Sequence, residues 1–185
     1  MKLLTALAII AMFLFTSCSS NNFTREKAQK IIEAEKMYPS IFDYSIFCND
    51  VPEAFKAVDA GLERDGYVNV IKTKKFNEAG KPWITFTDKA TPYLLPTPEK
   101  DKPFQIQLVK IADEEFVEIT GLRLGQAKKT AMVEYTTVYK NISPFVVFLK
   151  KELKEKNNRK AYFALYDDGW RIVKKPGPEF IEFGG

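Results

Sequence analysis

The chain predicts an α+β fold in which a small helical module (residues 24–95) precedes a β-rich antiparallel module (residues 104–185). Three observations predict it. Val51, Phe55, Val58 and Leu62 recur at helical spacing in the first half. Thr130–Lys140 alternates β-branched and aromatic residues in the second. Asp168-Gly169 lies between two apolar runs, the strongest short signal for a hairpin. Of 185 residues, 45% are hydrophobic and 14% aromatic. That is enough apolar side chain for a packed core, so the chain as a whole is not disordered.

Residues 18–23 read as a polar tether. Thr24 can cap a first helix running to about Met37, with Ala28, Ile31, Ile32 and Glu35 setting the rhythm. Tyr38-Pro39 stops it, because a residue before proline resists the α region. Ser40–Phe47 is apolar on one side and fits either a short helix or an extended segment. Asp50-Val51-Pro52-Glu53 has a capping-box pattern with proline in the first turn, and it opens the helix that carries the Val51–Leu62 stripe. Gly66 ends that helix. Tyr67, Val68, Val70 and Ile71 form a strand, Glu78–Lys81 a turn, and Trp83, Ile84 and Phe86 a returning strand. Asp88–Leu95 is a short terminal piece.

Pro96, Pro98 and Pro103 enclose Glu99, Lys100, Asp101 and Lys102, so residues 96–103 read as a semi-rigid linker. Phe104, Ile106 and Leu108 then alternate as a strand. Asp113-Glu114-Glu115 reads as a polar turn, and Phe116–Leu124 as a strand with a bulge at Gly121. Ser143-Pro144 favours a helix over Phe145–Asn157, on the repeat of Phe145, Leu149 and Leu153. Ala161–Tyr166 and Trp170–Lys174 are the arms of the Asp-Gly hairpin.

The order helix, glycine, strand, turn, strand resembles a winged-helix domain over roughly residues 24–95. Leu62-Glu63-Arg64-Asp65-Gly66-Tyr67-Val68 and Ile84-Thr85-Phe86-Thr87-Asp88-Lys89 carry the resemblance. It implies DNA binding, which the charge opposes. Asp50–Asp65 sets five acids against Lys56 and Arg64, and phosphates repel a negative recognition helix. Lys72, Lys74, Lys75 and Lys81 read as a solvated edge that blocks strand pairing. A formal net charge of +4 is too small to add a nucleic-acid argument, so nucleic acid is not an expected partner.

Met1–Ser17 holds Lys2, an apolar stretch from Leu3 to Phe15, then Thr16 and Ser17, the layout of a secretory signal. The stretch is shorter than the about 20 residues a bilayer-spanning helix needs. Phe15-Thr16-Ser17-Cys18 resembles the lipobox of bacterial lipoproteins, with Phe15 where that family usually has an aliphatic residue. The resemblance implies removal of residues 1–17, acylation of Cys18 and a membrane held through a lipid anchor. Residues 19–22 contain no acid. In small lipoproteins of Gram-negative bacteria that implies the outer membrane, facing the periplasm.

The chain contains no histidine, which excludes Ser-His-Asp and Cys-His catalysis and imidazole zinc sites. With Cys18 assigned to lipid, Cys48 has no disulfide partner and reads as a small buried hydrophobe, with a reactive thiol as the alternative. Asp113, Glu114, Glu115 and Glu118 lack the spacing of a calcium loop, and Asp167-Asp168 fits turn chemistry better than a catalytic pair. No cofactor and no metal is expected. Lys150, Lys151, Lys154, Lys156, Arg159 and Lys160 read as a solvated face or a contact for anionic lipid or acidic glycan. Tyr135 and Tyr139 share one strand face, and Tyr162 and Tyr166 share another; aligned tyrosines suit a sugar or peptide platform as well as cross-strand packing. The expectation is a lipid-anchored envelope protein with a non-enzymatic binding or assembly role and a protein or glycan partner. The alternative is a hydrolase of cell-wall or carbohydrate substrates that works with carboxylates alone.

Overall fold

The computed structural model describes residues 22–184 except 79, 150, 151 and 154. The signal-like segment, its lipobox and Cys18 lie outside the described residues. In chain order the elements are α1 (Arg25–Ala34), β1 (Ser40–Phe47), α2 (Val51–Asp59), β2 (Val68–Val70), β3 (Ile84–Phe86), β4 (Leu94–Leu95), β5 (Ile106–Leu124), β6 (Thr130–Lys140), β7 (Asn157–Tyr166) and β8 (Gly169–Val173). Short 3-10 turns join several of them.

One antiparallel sheet in the order β1-β5-β6-β7-β8 curls into a half-barrel, and β4 also pairs with β5. β2 and β3 form a separate hairpin. This sheet overturns the division into a winged-helix-like helical module and a β-rich module. β1 precedes the expected linker, yet it pairs with β5 from Ser40 opposite Glu114 to Phe47 opposite Ile106. Leu94 and Leu95 of β4 lie opposite Val109 and Leu108. Residues 96–103 therefore connect two paired strands of one sheet. The physical reason is the period of two in Phe42, Tyr44 and Ile46, whose side chains join the core that Val109 and Ile111 line. Both α-helices are short, ten and nine residues, and strand dominates.

α1 begins where expected. Thr24 Oγ1 accepts the Lys27 backbone N–H at 3.2 Å. Ala28 and Ile32 are buried in the core that Val133, Tyr135, Phe163 and Trp170 also line. At α2 the capping box does not form, because the Asp50 side chain makes no cap hydrogen bond. Glu53 instead accepts from the Tyr44 hydroxyl at 3.1 Å. Gly66 has φ +76°, a left-handed conformation that glycine enters without steric cost, and the chain turns there into β2.

In the second half the expected polar turn at Asp113–Glu115 is the middle of β5, a single strand of 19 residues. Its acids stay in the strand because cations meet them: Lys110 contacts Asp113 at 2.7 Å and Arg159 contacts Glu114 at 2.7 Å. The register does shift between Ile119 and Gly121, as a bulge there requires. The helix expected over Phe145–Asn157 reduces to a 3-10 turn, Pro144–Phe148, with Ser143 Oγ accepting the Phe145 N–H at 3.2 Å. Asn157 and Asn158 already belong to β7, opposite Thr137 and Thr136. The adjacent Val146 and Val147 weaken a helix, and the waiting edge of β6 decides against it.

Two apolar cores lie along one face of the sheet. The first gathers α2, the β2–β3 hairpin, β1, the start of β5, Phe145 and Phe148. The second gathers α1 with β6, β7 and β8. A small third cluster, Met132 with Phe180 and Phe183, covers the opposite face. Phe145 joins the chain halves. It is fully buried, and its ring centroid lies 6.1 Å from Tyr67, 5.9 Å from Phe86 and 6.0 Å from Tyr93.

Phe145→Ala is expected to cost about 3–5 kcal/mol. Urea unfolding followed by circular dichroism should show one transition, shifted to lower urea in the variant. Two separable transitions in the wild type would contradict a shared sheet.

Candidate functional site

The four candidate tyrosines do not form one platform. Tyr135 is 3% exposed, and its hydroxyl lies 3.0 Å from that of Tyr38. Tyr139 stacks on Phe42 at 5.2 Å, and its hydroxyl accepts from Arg159 Nη2 at 3.2 Å. Tyr162 lies opposite Met132, which places it on the other face of the sheet, where it packs edge-on against Phe180 at 5.3 Å. Tyr166 is exposed at the β7–β8 hairpin, with the Arg171 guanidinium 5.6 Å from its ring. Alternation along each strand is readable in sequence; the register that sends the pairs to opposite faces is not.

Between the two cores runs a polar layer. Glu114 Oε1 accepts from the Thr137 hydroxyl at 2.5 Å and from Arg159 Nε at 2.7 Å. Two donors thus hold this carboxylate as an acceptor, which suits structure better than acid–base chemistry. The other acids with a possible catalytic role also sit against partners. Asp113 takes hydrogen bonds from Lys110 and Asn141, which hold its carboxyl below the usual range. Asp168 pairs with Arg171 in the β7–β8 hairpin. Cys48 is buried, and burial pushes its thiol up to about 11, far from a reactive thiolate at neutral pH. Among the described residues, no three Cys, Asp or Glu side chains are placed to hold a metal ion.

The site that sequence reasoning missed is on α2. Val51, Phe55, Val58 and Leu62 read as a core stripe; Leu62 is buried as expected, but within α2 the buried residues are Ala54 and Ala57. Two small residues three apart let the helix lie close to β2 and the Pro144–Phe148 turn, and the larger residues Val51 and Phe55 turn outward. Phe55 is 66% exposed. Val51, Phe55 and Val58 face Val70, Ile71 and Trp83 across an open groove of about 280 Å³. Lys72 stands at its rim, 3.5 Å from Glu63. Ala54 and Ala57, flanked by bulkier neighbours, are the sequence signal that could have found it.

The loop from Ile71 to Trp83 borders this groove. Lys74 Nζ lies 4.0 Å over the Trp83 ring, donates to Asn49 Oδ1 at 3.1 Å and bonds the Lys81 carbonyl. Gln105 Nε2 donates to the Gly80 carbonyl at 3.0 Å. The loop is therefore held at the end of the sheet where β1 finishes and β5 starts. Comparison with protein-family models, curated proteins and solved structures found no match to this chain.

Burial and the Tyr135 hydrogen bond raise the Tyr38 hydroxyl well above the ordinary tyrosine range. Tyr38 must stay protonated in the fold but ionises near pH 10 when unfolded. Its contribution to stability is thus complete below about pH 10 and is lost as pH rises beyond it. Urea midpoints measured from pH 8 to pH 11 should fall less steeply for Tyr38→Phe than for the wild type. Equal slopes would show that the buried hydroxyl pair does not set the alkaline limit.

Proposed function

We propose that this is a lipid-anchored cell-envelope protein with a non-enzymatic binding or assembly role, and that it binds through the groove between α2 and the β2–β3 hairpin. The single observation behind the binding role is the apolar stripe Val51-Phe55-Val58, turned out of the core and left open. Leaving Phe55 66% exposed forgoes the about 1.5–3 kcal/mol that burying it would contribute. The groove has apolar walls and one cation at its rim, the lining of a site that takes up an apolar segment and orients its polar end. The anchor rests on the lipobox resemblance at Phe15–Cys18. The outer membrane, facing the periplasm, follows from the acid-free residues after Cys18.

Two measurements test this. Intact-mass analysis of the native protein should show a chain that begins at Cys18 and carries acyl groups; an unmodified thiol at that position overturns the anchor. An anionic naphthalene dye that brightens in apolar sites should bind the wild type, and Phe55→Asp should weaken that binding about tenfold with the urea midpoint unchanged, because the side chain is exposed. Unchanged dye affinity in the variant overturns the groove.

A further inference from the structure

We infer that the partner met by this end of the molecule is the surface of an anionic phospholipid bilayer, entered by the loop that carries Phe76. The inference rests on the proposed binding role of the groove end and names what is bound there.

The loop from Ile71 to Trp83 contains four lysines (72, 74, 75 and 81) and one glutamate, a net charge of +3. At its tip the Phe76 side chain is 99% exposed, so no part of the ring is covered by protein. The bonds from Lys74 to Asn49 and from Gln105 to Gly80 fix the loop beside two more outward phenylalanines, Phe47 and Phe104. Phe104 is 69% exposed, and α2 brings Phe55 to the same end. Four phenylalanines thus project from four separate segments, interleaved with ammonium groups.

A folded protein partner needs a flat or concave surface of matching shape. The groove could take one apolar segment, but Phe47, Phe76 and Phe104 project outside its lining, from three separate segments, and shape no common surface with it. A bilayer needs no matching shape, because lipid flows around each ring. Aromatic and aliphatic side chains enter the boundary between headgroups and acyl chains, and lysines remain at the level of the phosphates. Each lysine near an anionic leaflet raises the affinity for it about fivefold. The charge lies beside the apolar rings, as such a surface requires; Lys72 is shared with Glu63, and Glu53 of α2 is paired with Lys56. Among the described residues no helix is long and apolar enough to cross a membrane.

The contact is also distinct from an anchor at Cys18. Phe23, where the tether would join the fold, packs on Phe163 and Trp170 at 4.8 and 4.3 Å. Phe163 lies opposite Ala131, which in turn lies opposite Leu124, the last residue of β5. The Phe76 loop sits beside the first residue of the same strand. Attachments at both ends of β5 hold the sheet along the membrane and prevent it from swinging on its tether.

The test places a reporter at residue 76. Full chains carrying Phe76→Trp, or Tyr166→Trp at the exposed β7–β8 hairpin, are mixed with vesicles of phosphatidylglycerol and phosphatidylethanolamine with brominated acyl chains. Quenching of the added tryptophan, taken as the difference from the wild-type chain with Trp83 and Trp170 alone, is then compared. The expected result is a loss of about half or more of the emission at position 76 and little change at position 166. The same position-76 reporter should be quenched at least about twofold less with phosphatidylcholine vesicles, or when Lys75→Gln and Lys81→Gln are added. Unquenched emission at position 76 while the protein floats with the vesicles overturns the inference, and so does quenching that ignores lipid charge and both lysines. If dye binding still depends on Phe55 while position 76 stays dark to bromine, the groove stands and the bilayer contact falls. If position 76 is quenched but dye binding ignores Phe55, the reverse holds.

Discussion

Ser40–Phe47 hydrogen-bonds along the first half of β5, and this pairing turns Phe42, Tyr44 and Ile46 toward the core that Val109 and Ile111 already line. Everything at that end of the molecule follows from it. The first core can close only when something covers those five side chains. Phe145 and Phe148 arrive from the turn after β6, and α2 arrives from the segment after β1. α2 lies close because its inner face is Ala54 and Ala57. That close approach forces the larger residues of the same helix outward, and so the groove is a consequence of how the core is sealed.

The second constraint is the polar layer between the cores. A carboxylate and a guanidinium facing each other at 2.7 Å inside the sheet contribute little net stability, since desolvation offsets most of their attraction. What they contribute here is position. Glu114 on β5, Thr137 on β6 and Arg159 on β7 meet only in the observed register; a slip of one residue would send each to the opposite face. The layer therefore fixes how three strands align, and it separates the core that carries the groove from the core that holds α1.

Much of the local structure was legible in the sequence. The Thr24 cap, the hairpin of Val68–Val70 with Ile84–Phe86, the span of β6 and the Asp-Gly hairpin all stand where the residues predict them. These are signals that neighbouring residues settle among themselves. The failures are non-local. Nothing in Ser40–Phe47 names β5 as its partner 59 to 74 residues further on, so a chain of one sheet read as two modules. Asp113–Glu115 read as a turn because, although Lys110 meets Asp113 locally, the cation that meets Glu114 is Arg159, 45 residues further on. Phe145–Asn157 read as a helix because a repeat of four does not reveal that β6 offers an open edge. The tyrosines were correctly paired on each strand but were divided by register, and of the stripe Val51, Phe55, Val58 and Leu62 only Leu62 reached the core.

Native-state amide hydrogen exchange tests most directly whether β1 belongs to the sheet of the second half. Backbone amides of Phe42, Tyr44 and Ile46, where bonded to β5, should exchange with the same free energy as those of Val109 and Ile111, and that value should equal the global unfolding free energy. Exchange of the β1 amides through a separate, lower-energy opening, with β5 and β6 still protected, would mean that the first half folds on its own and that the shared sheet is not what holds this protein together.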